Sequence, residues 1–124
     1  MRRTAIWLST AFLIVAAAPA PTANREFARE MNAAMDRMTD SMKIRRSGDV
    51  DRDFAAMMIP HHQTAIDMAV AELRYGTNPQ LKRIAQEIIV DQQQEIAAMR
   101  LALGDPLPPP EPSPTQPGEL LKRE

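Results

Sequence analysis

Between Asn24 and Leu103 apolar residues recur at steps of three and four, and the pattern breaks at Ser47-Gly48-Asp49 and again at Gly76-Thr77-Asn78. That period places side chains on one stripe of an α-helix, and no stretch alternates in the way a half-buried strand does. The expected fold is therefore all-α: three helices joined by short turns, which makes them antiparallel, up-down neighbours in a bundle. The first helix covers about Asn24 to Arg46, with Phe27, Met31, Ala34, Met35, Met38 and Met42 on its stripe. The second covers about Asp51 to Tyr75, with Asp51 and Asp53 at its positive end. Its stripe is Phe54, Met58, His61, His62, Ala65, Met68, Ala69, Glu72 and Leu73. Pro60 lies inside it and predicts a kink or an offset first turn, because proline lacks the N–H and crowds the carbonyl four residues back. Gly76 is placed to cap this helix. The third opens with Asn78 as N-cap and Pro79 at the first helical position, and its stripe is Leu81, Ile84, Ala85, Ile88, Gln92, Glu95, Ile96, Met99 and Leu103.

The two ends of the chain read differently. Arg2 and Arg3 precede an apolar run from Ala5 to Ala18 and then small residues, the pattern of an export signal over residues 1–23. Cleavage could follow Ala17, Ala20 or Ala23, and a retained signal would act as an anchor; the run is shorter than the ~20 residues of a comfortable span. The protein is thus expected in the periplasm or outside the cell. From Gly104 to Glu124 proline is so dense that helix and sheet are both blocked, and a disordered, polyproline-like tail is expected. The helical domain is then residues 24–103. It holds no cysteine, so no disulfide can reinforce it, and a core this thin favours self-association or packing by a retained signal helix.

Formal charge is −1 for the whole chain and −3 once Arg2 and Arg3 are removed. No basic surface interleaved with aromatic residues remains, which argues against a nucleic-acid partner. There is no Glu-x-x-His pair of the di-iron carboxylate bundles, no His-Glu-x-x-His helix and no Gly-rich phosphate loop.

What remains is sulfur and imidazole. Both histidines, His61 and His62, stand side by side after Met57, Met58 and Pro60, with Met68 following. Thioether and imidazole are the ligands that soft and borderline metals prefer, copper above all. Antiparallel folding about Gly76 brings His61 level with Gln92, Met58 with Glu95, and Phe54 with Met99. Folding about Gly48 brings Met38 to the same level, with Met35 and Met42 one turn away. Gln92 and Glu95 are polar residues on an apolar stripe, and a histidine or a metal ion would satisfy them. Adjacent residues on a helix point about 100° apart, so one ion does not take both histidines, and His61 is the expected inner ligand. Against this stands plain packing, since methionine is a flexible core filler.

The string from Asp53 to Ala69, with Met58-Ile59-Pro60-His61-His62 at its centre, resembles a bacterial ferritin-like family of unknown function that is largely exported and includes a periplasmic copper-binding protein. The later Ile84, Ile88, Gln92, Glu95, Ile96 and Met99 match its second signature. The resemblance covers about Phe27 to Leu103. It implies a copper or silver site at Met58, His61, His62, Met68, Gln92, Glu95 and Met99, and a role in copper binding or resistance. Three functions follow as expectations. The first is copper buffering or transfer, with His61, His62, Met58, Met38, Met68, Glu95 and Met99 as ligands and Gln92, Met35, Met42 and Met57 supporting them. Its partner would be the metal ion and a copper-exporting or envelope protein. The second is a metal-free helical interaction module of the cell envelope. The third, an enzyme using His61 and Glu95 as an acid–base pair, has no recognisable nucleophile beside it.

Overall fold

The computed structural model of the chain describes residues 21–43 and 45–107. They form three helices and no strand: α1 Pro21–Ser41, α2 Val50–Tyr75 and α3 Pro79–Leu103. The apolar run Ala5 to Ala18 and the proline-rich segment beyond Leu107 lie outside the described residues. No helix among the described residues is long and apolar enough to cross a membrane.

Local chemistry sets the helix ends. The Asp49 carboxylate accepts from the backbone N–H groups of Asp51 (3.0 Å) and Arg52 (3.2 Å), capping α2. Asn78 does the same for α3, accepting from Gln80 and Leu81 at 2.9 and 3.2 Å ahead of Pro79. Gly104 closes α3 in the left-handed region at φ 72°, where glycine carries no Cβ penalty. Gly76 closes α2 for a different reason. Its φ is an ordinary −66°, but a Cβ there would sit 2.6 Å from the Glu72 carbonyl oxygen. α2 runs unbroken through Pro60, losing the one hydrogen bond that proline cannot donate. α1 stops at Ser41 rather than near Arg46. The chain then crosses to α2 as a loop, anchored where the Ser47 N–H and hydroxyl both donate to Asp53 at 2.7 Å.

α2 is the central helix. Its Ile66, Ala69 and Leu73 bury against Ala85, Ile89 and Ile96 of α3, with Ile59, Val70 and Met99 at the margin. On its other side α1 and α2 approach closely, since their register places Ala34 opposite Ala71 and each is 1% exposed. Polar contacts fix that register: Arg37 to Asp67 at 2.8 Å, and Glu30 to Arg74 at 2.7 Å. No Cα of α1 comes within 8 Å of α3, so α2 is flanked on two sides and the arrangement stays open. Part of the expected α3 stripe is displaced. Leu81, Ile84 and Ile88 are exposed, Phe54 of α2 likewise, and Ile89 is fully buried instead. The run Ile88-Ile89-Val90 is apolar all round, so its period cannot choose between faces; contact with α2 chooses.

Candidate functional site

His62, and not His61, is the inner histidine. It is 8% exposed, whereas His61 faces solvent. The correction follows from register. α2 and α3 meet with His62 against Glu95, where a turn centred on Gly76 had set His61 against Gln92. That slip is about one helical turn between the helices, and His61, about 100° round α2 from His62, faces away from α3. The two rings remain 6.1 Å apart, inclined at 63°.

The His62 ring is held at both nitrogens. Nδ1 lies 2.8 Å from the Met58 carbonyl oxygen, which can only accept, so Nδ1 carries a proton there. Nε2 lies 2.6 Å from the Glu95 Oε2, which also accepts from the Gln92 amide at 3.2 Å. Whenever the ring carries a proton on Nε2 as well, it donates to the Glu95 carboxylate in a charge-assisted contact. Glu95 itself is 57% exposed and can leave the contact at little cost, whereas the ring cannot. The histidine that Glu95 meets is thus His62, where the acid–base pairing expected from the sequence had named His61.

The same register sorts the methionines. His62 opposite Glu95 brings Met99, one turn on in α3, level with Met58, one turn back in α2; both are half-buried. Met68 is half-buried farther along α2, and Met57 is exposed. On α1, the Arg37–Asp67 pair sets Met38 level with Ile66, not with the histidines. Met42, rather than Met38, reaches the level of His62, and Met35 lies farther still; Met35 and Met42 are exposed. Among the described residues no three His, Asp or Glu side chains converge as a metal-holding group. Met58 and Met99 are thus the thioethers that stand level with the His62–Glu95 contact.

A second polar cluster was not singled out from the sequence. Glu30 accepts from Arg74 and from the Tyr75 hydroxyl, each at 2.7 Å, and Phe27 packs edge-on to Tyr75 at 6.5 Å. The hydrogen bond to Glu30, and then desolvation, hold the Tyr75 phenol above its usual range. Glu30 lies one turn from both Phe27 and Ala34, a polar residue beside an apolar stripe, which was the signal available. A cavity of about 350 Å³ opens beside this cluster, lined by Arg29, Glu30, Ala33, Arg37, Asp67 and Val70.

The fold and site define an all-α domain that holds a buried histidine against a carboxylate, with thioethers at the same level. Residues 5–103 match the family model described as "Domain of unknown function (DUF305)", and the chain belongs to that family. It is also similar to the uncharacterized protein L153 of Acanthamoeba polyphaga mimivirus, with 36% identity over 55 residues. That match covers 44% of this chain and 36% of the viral protein, so the chain spans little more than a third of that relative's length.

Proposed function

We propose that this is an exported, ferritin-like protein that binds copper through methionine and histidine, and buffers it or passes it on, with silver as a surrogate ion. One observation carries the reading: the Met58 carbonyl fixes the His62 Nδ1–H, which leaves Nε2 as the ring's only ligand nitrogen, level with the Met58 and Met99 side chains. Ligating histidines characteristically have their other ring nitrogen tied to an acceptor in this way. Cu(I) would take His62 with the thioethers of Met58 and Met99; Cu(II) would draw on His62 and Glu95. At 2.6 Å the His62–Glu95 contact leaves no room for an ion between them, so metal and carboxylate compete for the same nitrogen. The exposed His61 and Met57 would serve a neighbouring ion or an incoming one, and Met68, Met38, Met35 and Met42 line the approach. A copper-exporting or other envelope protein is the partner this function calls for.

The test is an anaerobic titration of the apo chain with Cu(I) against a chromogenic Cu(I) chelator. Stoichiometric capture is expected, with affinity falling at least ~10-fold in Met58→Leu and in His62→Leu, and little change in His61→Leu. Failure of the chain to compete with the chelator would sink the proposal. A second reading, a metal-free interaction module of the envelope, is favoured by one observation: large apolar side chains such as Phe54, Leu81 and Ile84 stand about half exposed.

A further inference from the structure

Those exposed side chains share one face. Successive helical residues turn by about 100°, so the observed contacts orient each helix. On α1, Arg29, Glu30, Ala33 and Arg37 line the cavity together with Asp67 and Val70 of α2. The stripe Met31, Met35, Met38 and Met42 therefore lies on the opposite flank of α1. On α2 the positions on that same side are Phe54, Met57, His61, Ala65 and Met68. On α3, Glu95 reaches His62 from that side, and Leu81, Ile84 and Ile88 share its flank. Because α1 and α3 pack on two different sides of α2 with no Cα of one within 8 Å of the other, the three helices form an open layer with two unlike faces. One carries charged and amide side chains, among them Arg37, Asp67, Lys82 and Arg100. The other carries the methionines, and on α2 it bears no formal charge from Phe54 to Met68.

We propose that this apolar, methionine-rich face is a homodimer interface, each copy covering the other about a two-fold axis. Of the eleven large apolar side chains exposed among the described residues, seven lie on it: Met35 and Met42, Phe54 and Met57, and Leu81, Ile84 and Ile88. At their recorded exposures they alone present roughly 600 Å², against about 800 Å² contributed by each partner of a standard interface. A two-fold contact needs only one self-complementary patch, and this layer has one broad enough. The interior explains why the partner is a second copy. Among the described residues Leu73 and Ile89 are the large side chains buried completely, and a domain with so thin a core needs cover whenever it folds. A second copy is the one partner always present at matching concentration. The proposal stands whether or not the face binds metal.

The full chain, freed of metal with a chelator, is examined by sedimentation velocity up to about 100 µM, where even a micromolar dimer would dominate. The expected species has twice the 13.9 kDa chain mass. Met57→Glu with Ile84→Glu, both at exposed positions, should yield the single-chain mass with unchanged helix content. Val90→Glu with Leu101→Glu, exposed on the far side of α3, should leave the dimer intact. A single-chain mass for the wild type throughout overturns the proposal and leaves residues 1–20 or a foreign partner to cover the face. A dimer indifferent to Met57→Glu with Ile84→Glu overturns it too, because the contact then lies elsewhere.

Discussion

At the scale of the residue, position on the helix decides between chemically identical side chains. His61 and His62 have the same ring and neighbouring places in sequence, yet one lies under α3 and the other in solvent. The sequence placed Glu95 in the same layer as the pair but opposite Met58; that it meets His62 was decided by register. Asp53 illustrates a charge whose role is local. The Ser47 N–H, and then the Ser47 hydroxyl, bond the Asp53 carboxylate and hold its pKa below the usual range. A carboxyl lowered in the folded state stabilises the fold above its unfolded value, and that stability is lost as pH falls through the folded value. Asp53→Asn should therefore melt at a lower temperature than the wild type at neutral pH. The difference should close once the buffer is taken below the carboxylate range, as read by thermal melts followed by circular dichroism.

At the scale of the element, helix starts were more legible than helix ends. Asn78-Pro79 forms the cap read from the sequence, whereas Asp49, read there only as part of the turn after α1, turns out to cap α2. The sequence signal for the end of α1 is Ser47-Gly48-Asp49, yet the helix stops short of it at Ser41. The α1–α2 contact depends on small residues. Ala34 and Ala71 are each 1% exposed, so neither helix can accept a larger side chain there without moving away. Ala71→Leu should cost about 1–3 kcal/mol through overpacking. Urea denaturation would register it as a lower midpoint, and Ala28→Leu, at an exposed position on the outside of α1, should leave that midpoint nearly unchanged.

At the scale of the whole molecule, the larger buried side chains are concentrated in the α2–α3 pair, while α1 is held by polar contacts, the Phe27–Tyr75 ring contact and the small buried Ala34. Leu73 and Ile89 are the large side chains fully out of water, and both belong to that pair. Leu73→Ala should cost about 2–5 kcal/mol, comparable with the entire stability of a small domain. The expected result is loss of a cooperative thermal transition, whereas Leu101→Ala at an exposed site should keep it. The same thinness leaves one face of the layer apolar, and it gives the methionines their surroundings. They are neither sealed in a core nor scattered over a surface.

The sequence by itself determined the helical class, the three elements, the caps at Gly76 and Asn78, and the presence of side chains with soft-ion donor chemistry. Each of these rests on interactions within a few positions along the chain: the 3.6-residue period, a capping carboxylate, the donor chemistry of a side chain. Only the tertiary structure decided that His62 turns inward, that Met99 rather than Met38 comes level with Met58, that Ile89 is buried while Ile88 is not, and that α1 and α3 stay apart. Those outcomes depend on how far one helix slides and rotates against another. A shift of a single turn there changes every facing pair while leaving the local pattern of the sequence unaltered.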